Sequence, residues 1–259
     1  MTLLKPGSAD LIAFVVNATR LSIFEIQKRS LNTYVGWLWS GINPLAQIAL
    51  MYFIMTHVFK SAMPNILLWL VSGLAVWITI QTTISRSCNS LISRRALMQN
   101  NNISPSLLVT ADMLSELFIL APFYLIGALV SFAYGTQSLS LLLIPLILLT
   151  LVGFLFGVCL TLATITPWLR DLPYLVGLGL QIAFWLTPIA YSRASMSGPV
   201  QLIVQINPFT YFIEWSQAIF LGKPIGAQQI LIPVGLAFVS IVIGKYVTAK
   251  LGKKMVVHL

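Results

Sequence analysis

The chain's 259 residues include six acidic side chains, two histidines and two cysteines, so few combinations could do chemistry. Asp112 and Glu116 stand at i, i+4, which puts both carboxylates on one helix face, where such a pair could relay a proton. A relay across a membrane needs acidic, basic or histidine side chains at the midplane, and none follows from Leu117 to Phe132. The two are therefore expected to be structural, favoured by the dipole at the start of a helix. Arg170-Asp171-Leu172-Pro173 reads as a tight turn in which Asp171 caps the next helix and Pro173 fits its first turn, with pairing to a partner chain as the functional alternative. His57 and His258 have no Cys or carboxylate at metal-ligand spacing, so neither is expected to make a metal site. Cys88 and Cys159 lie in or beside apolar stretches and are expected to be packing residues. No phosphate-cradling G-x-x-x-x-G-K-[S/T] loop, G-x-S-x-G or H-E-x-x-H occurs, so the chain is not expected to hydrolyse ATP or to be an enzyme by itself.

Composition dictates the elements that must position these residues. Hydrophobic residues make up 58% of the chain and charged residues 8%, against roughly 25% charged in soluble proteins, which excludes a soluble enzyme and a disordered chain. Apolar windows at 35–59, 66–84, 107–132, 139–165, 172–189 and 230–247 predict an all-α integral membrane protein, one domain over 1–259 with six transmembrane helices. The run Leu11–Val16 is too short for a cleavable signal, so targeting is expected to fall to the first span. Lysines and arginines divide twelve to three: Lys5, Arg20, Lys28, Arg29, Arg86, Arg94, Arg95, Arg170, Lys245, Lys250, Lys253 and Lys254 fall on one side, and Lys60, Arg193 and Lys223 on the other. By the positive-inside rule both termini, the 85–106 loop and the Arg170 turn are expected in the cytoplasm. The net charge of +9 then signals orientation and attraction to anionic membrane lipids, and no nucleic acid is expected.

Three segments are predicted to do something other than span. Residues 10–30 carry Leu11, Phe14, Val15, Ala18 and Leu21 at helical spacing beside Arg20, Gln27, Lys28 and Arg29, predicting an interfacial helix whose stripe is interrupted by Glu25. The loop 85–106 is longer than a connection needs, and Leu91, Ile92, Ala96, Leu97 and Met98 among Arg94, Arg95 and Gln99 predict a short amphipathic helix that docks on a partner. Asn100–Asn102 and Ser104-Pro105 should close that helix and restart the next. Residues 191–226, with Asn207-Pro208 at their centre, are too interrupted for full spans and predict a re-entrant pair of short helices on the outer side.

Aromatic residues are the remaining signal. An interfacial belt accounts for many of them, but Tyr52 and Trp185 fall inside their spans. Aromatic rings stack on the apolar faces of sugars while Tyr and Trp tips reach hydroxyls, which suits a passage that holds glycan without fixed charge. With no titratable residue in the middle of most spans, ion-coupled transport lacks its usual site, so transport would need an external motor.

Four short stretches occur in order along the chain: Thr33-Tyr34-Val35-Gly36-Trp37-Leu38-Trp39 leading to Pro44-Leu45, then Arg170-Asp171-Leu172, Thr187-Pro188-Ile189-Ala190-Tyr191, and Asn207-Pro208. Together they resemble the ABC-2 type permeases that export polysaccharides, which carry S-x-L-G-x-x-W followed by P-L, an R-D-L turn, S-P-I-x-Y, and N-P before the last helix. The chain departs from that pattern at Ser30 and Leu31, where the family often has an aromatic and a basic residue, and at Gln217, where many members have Arg.

The resemblance implies a homodimer in the bacterial inner membrane with two copies of a separate ATPase, which would hold the ATP and Mg; no cofactor is implied in this chain. The 85–106 loop would contain the coupling helix, with Leu91, Ile92, Arg94, Arg95 and Leu97 at the ATPase. The substrate would be a glycan such as O-antigen on undecaprenyl diphosphate, with Arg20, Lys28 and Arg29 receiving the diphosphate. Tyr34, Trp37, Tyr52, Trp185, Tyr191, Tyr211 and Trp215 would line the path. The alternatives are an ABC-2 permease for a small hydrophobic compound or haem, which wants a closed lateral pocket, and an ATP-independent channel or membrane scaffold.

Overall fold

The computed structural model describes residues 11–30, 39–60, 63–101, 103–136, 139–193 and 196–258. Among the described residues every regular element is helical and none is a strand. In chain order they are α1 (Leu11–Ser30), α2 (Trp39–Phe53, continued by a π-helical turn Ile54–Val58), α3 (Ile66–Cys88), α4 (Ser90–Ser93), α5 (Arg95–Asn101) and α6 (Pro105–Ala133). A 3₁₀ turn (Leu139–Leu143) leads into α7 (Ile144–Ile165), followed by α8 (Leu172–Leu186), α9 (Pro199–Ile206), α10 (Pro208–Phe220) and α11 (Ala227–His258). Tyr34, Trp37 and the start of the first expected span lie outside the described residues.

Among the described residues, four helical stretches are long and apolar enough to cross a membrane: Ile66–Cys88, Pro105–Ala133, Ser140–Ile165 and Ala227–Gly252. These match four of the six expected windows. Helix α8 is apolar but shorter. Helix α3 runs a full turn past its expected end, carrying Arg86 and Cys88 into helix. Helix α6 starts as the sequence implies, with the Ser104 hydroxyl accepting a hydrogen bond from the Leu107 N–H and Pro105 in the first turn, where a missing N–H costs nothing.

Helix α3 is the axis of the bundle, packing on α2, α6, α7, α8 and α10. Its fully buried Trp77 meets Phe184 of α8 and Phe209 of α10 at centroid distances of 5.6 and 5.7 Å. Both cysteines are free and buried, and Cys159 packs its thiol toward the Thr83 carbonyl of α3, as packing residues should.

The most extensive pairing in the fold is α7 with α11. Between two apolar helices in lipid the hydrophobic effect gives little, so close backbone approach through small residues has to supply the contact. Gly153 and Gly157 of α7 meet Ala237, Ser240 and Gly244 of α11. At Gly157 the backbones touch: a Cβ there would run into the Ser240 carbonyl group, and one on Gly244 would lie 2.6 Å from the Gly157 oxygen. The Ser240 hydroxyl donates to the Phe154 carbonyl at 3.0 Å, and the Thr164 and Thr248 hydroxyls bond across the seam at 3.0 Å.

Gly157→Ala should therefore destabilise the protein by about 1–3 kcal/mol or more, the cost of overpacking, whereas Gly153→Ala, whose new methyl would find neighbours at 3.5 and 3.6 Å, should be tolerated. Thermal unfolding of the detergent-purified variants checks this, and equal melting temperatures would contradict the seam.

Candidate functional site

Three of the chain's six acidic residues converge at the end of the bundle that carries α4 and α5. Arg94 sits in the break between α4 and α5. Its two terminal nitrogens reach the Asp112 oxygens at 3.0 and 2.5 Å, its Nε reaches Glu25 of α1 at 3.2 Å, and it also donates to the Ser90 hydroxyl at 2.9 Å. One turn along α6, Glu116 accepts from Arg29 of α1 and Arg86 of α3, each at 2.6 Å, and Arg29 also donates to Ser115 at 2.8 Å. Three arginines thus match three carboxylates, linking α1, α3, α4, α5 and α6. Burial works to lower the Arg94 pKa, but the hydrogen bond and charge of Asp112, followed by Glu25, raise it on balance. Arg29 is lowered by burial, which Glu116 only partly offsets.

The helix-dipole reading of Asp112 and Glu116 is corrected by this geometry. Helix α6 begins two turns earlier, at Pro105, and both carboxylates are buried against arginines from other elements. The same pairs explain the interrupted stripe of α1: Phe14, Ala18, Leu21 and Ser22 pack inward, and Glu25 and Arg29 continue that inner face to reach Arg94 and Glu116. The outer face exposes Ile12, Val15, Ile23 and Phe24, and Arg20 and Lys28 are exposed as well.

Next to the network lies a polar cavity of about 700 Å³ between α1, α2, α3, α4 and α6. The paired charges form one wall. Asn43 and Gln47 of α2 and Gln81, Thr82, Ser85 and Asn89 of α3 and its C-cap supply amides and hydroxyls, and Ile78, Ile119 and Leu120 close the apolar end. Sequence reading missed this lining, although Gln81, Ser85 and Asn89 recur every four residues.

The predicted docking segment is two short helices with a kink at Arg94, not one helix. Leu91 is fully buried and Arg94 is committed to Asp112 and Glu25, so these two anchor the segment. Ile92, Ser93, Arg95, Ala96 and Gln99 are exposed, and Leu97 is half-buried. The segment therefore has an outward face available for a partner.

At the far end, α8 stops at Leu186 and Thr187-Pro188-Ile189 is non-helical. Asn207 organises the turn that follows α9: its amide donates to the Thr187 hydroxyl at 2.8 Å and its oxygen caps α10 by accepting from the Phe209 N–H at 3.0 Å. Gln217 donates to the Pro188 and Ile189 carbonyls at 3.2 and 3.3 Å, and Glu214 pairs with Arg193 at 3.2 Å, an ion pair that the Gln217 departure did not suggest. Among the expected path residues, Trp185 is 68% exposed and Tyr52 36% exposed on α8 and α2. The Tyr191 and Tyr211 hydroxyls donate to the Trp185 and Gln205 carbonyls, so those tips hold backbone. Trp215 is fully enclosed by this chain's own helices. Asp171 stands at the N-cap of α8 but makes no side-chain cap hydrogen bond, contrary to expectation, while Pro173 fits the first turn as expected.

The described residues thus form a bundle of apolar helices with a buried charge network next to a partly exposed segment of two short helices. Residues 21–221 match the ABC-2 type transporter family, and the chain belongs to it. A protein of this family is the transport membrane subunit that works with an ATPase subunit, and is not itself the ATPase. Two proteins of Klebsiella pneumoniae named O-antigen export system permease protein RfbA are each 28% identical to the chain over 245 residues, spanning 93% of it and 92% of their own length. One of the same name from Myxococcus xanthus is 26% identical over 225 residues, 85% of each chain.

Arg94→Ala should cost about 3–5 kcal/mol, because it leaves the wholly buried Asp112 carboxylate unpaired. Arg94→Ala combined with Asp112→Asn should recover part of that loss, since the stranded charge is gone. A double-mutant cycle of melting temperatures measures the coupling, and simple additivity would deny it.

Proposed function

We propose that this chain is the transmembrane subunit of an ABC transporter exporting O-antigen polysaccharide, carried on undecaprenyl diphosphate, from cytoplasm to periplasm. The single observation that carries the reading is the match to O-antigen export permeases along 85–93% of the chain. In this reading the subunit is a homodimer in the bacterial inner membrane, joined by two copies of an ATPase on which ATP and Mg are bound. Helix α2 with its π turn and α8 act as spans alongside the four longer helices, both termini are cytoplasmic, and 191–226 re-enters from the periplasmic side.

Each candidate residue has a role here. Ile92, Arg95 and Leu97 meet the ATPase, while Leu91 and Arg94 hold the segment to the bundle. Movement of that segment when the ATPases close on ATP is passed to α1 and α6 through Glu25 and Asp112, a bistable step that hydrolysis can bias. Arg20 and Lys28, exposed on α1, receive the lipid diphosphate, and Arg29 fixes the helix that presents them. Tyr52 and Trp185 offer exposed rings to the glycan, Tyr191, Tyr211 and Trp215 belong to the segments beside them, and Tyr34 and Trp37, outside the described residues, are assigned to the path by the family resemblance alone.

One feature favours export of a small hydrophobic compound or haem: an apolar cavity of about 340 Å³ between α2 and α8, lined by Met51, Met55, Phe184, Trp185 and Tyr191. It is half the size of the polar one, and the larger space suits a polyhydroxylated substrate.

Deleting this chain from its bacterium should abolish surface polysaccharide and leave lipid-linked glycan inside the cell; a normal surface coat would overturn the reading. Ile92→Asp with Arg95→Glu should remove the copurifying ATPase and reduce export at least tenfold while the variant melts at the unmodified temperature. Retained export in that variant, or in one lacking Leu91–Asn100, would refute coupling through this segment.

A further inference from the structure

Helix α3 is enclosed almost everywhere, and the two exposed residues along it are Gln81 and Ser85. Its C-cap Asn89 extends the same i, i+4 line, with Thr82 and Arg86 half-buried beside it. Across the crevice, α2 presents Asn43 and Gln47, again one turn apart. Uncharged polar groups facing lipid would go unsatisfied at a cost of several kcal/mol each, roughly, so two facing polar stripes call for water or a polar ligand between them. The cavity of about 700 Å³ is within the range of small-molecule sites, roughly 300–1,000 Å³.

The charge balance selects the ligand. Every charged side chain lining the crevice belongs to the network of Arg29, Arg86 and Arg94 with Glu25, Asp112 and Glu116, so guanidinium and carboxylate cancel. A phosphate would meet arginines already matched and carboxylates that repel it. An uncharged polyhydroxylated molecule meets side chains that both donate and accept. Trp77 occupies the Gln81 amide oxygen at 3.0 Å, so Gln81 offers the crevice its two N–H donors, and Ser85, Ser90 and Ser93 offer hydroxyls.

We propose that the crevice between α2 and α3 is a binding site for sugar units, gripping their hydroxyls through Asn43, Gln47, Gln81 and Ser85. The inference rests on the export reading and adds a place where the glycan is held. Ser90, Ser93 and Arg94 form part of the wall, so a bound sugar touches the segment through which the ATPase acts.

The test uses the complete transporter with Gln81→Cys, in inverted membrane vesicles whose ATPase is arrested by a hydrolysis-defective variant. Native Cys88 and Cys159 are buried and contribute little background. A water-soluble methanethiosulfonate should label the new thiol, at least fivefold more slowly in vesicles from cells that make the glycan than from cells blocked before the first sugar is added. Equal rates, or no labelling in either, would overturn the proposal. So would slowing of the sugar-free vesicles by millimolar pyrophosphate to the glycan level, which would give the crevice to the lipid head. In cells, Gln47→Leu with Gln81→Leu should lower surface polysaccharide at least tenfold at equal membrane levels of the complex, and unmodified export would also overturn it. If deleting the chain leaves surface polysaccharide intact, the export reading itself fails; if deletion removes it while the labelling rates are equal, only the crevice assignment fails.

Discussion

A carboxylate buried among apolar helices stays charged only with a cation at hydrogen-bond distance, and this requirement organises one end of the molecule. Asp112 is wholly buried and Glu116 nearly so, and α6 carries no basic residue of its own to match them. The cations come from three other places: α1, the last turn of α3, and the kink between α4 and α5. That demand accounts for features that look unrelated in isolation. It puts Glu25 and Arg29 on the inner face of α1, extends α3 by a turn so that Arg86 reaches Glu116, and separates α4 from α5 where Arg94 turns inward.

The pairing of α7 with α11 is held by different physics. Where α7 crosses α11 there are no charges, and attraction comes from backbones brought together by Gly157 and Gly244, with Ser240 and Thr164 bonding across. Such a seam depends on atomic fit and has one good register. The ion-pair network depends on direction and hydration, and its partners are long side chains that can rearrange. Under the proposed function this division is apt: the segment beneath the ATPase is joined to α1 and α6 by adjustable side chains, while α7 and α11 are fixed to each other by backbone fit.

Much of this architecture was legible in the sequence. Four of the six expected windows became long apolar helices, Ser104-Pro105 opened α6, and Asn207-Pro208 separated α9 from α10. These signals are local, set by composition over one span or by the backbone limits of proline and capping residues. The charge network was not legible, because its partners lie 18, 30, 69 and 87 residues apart and no periodicity relates them. Gly153 and Gly157 could have been read as a close-approach motif, and Gln81, Ser85 and Asn89 as a polar face. The aromatic residues were hardest to read. Ring type alone did not separate Trp185, which is exposed, from Trp215, which is enclosed, or reveal that the Tyr191 and Tyr211 hydroxyls serve the backbone.

The network and the crevice depend on each other. A fully dry cluster of six charges would carry a desolvation penalty that its mutual attraction need not recover. Here Arg86 keeps 35% of its side-chain surface exposed and all six residues border the polar cavity, so water or sugar hydroxyls can take up hydrogen bonds that the pairs leave over. In return, because the six charges sum to zero, the cavity they border carries no net charge to trap an anion. The surplus of +9 then resides on residues outside the cluster, where it can act on membrane lipids without charging the site proposed to hold the glycan. A chain with so few charges can place half its acids in one lock and still present a neutral polar surface to a long polymer.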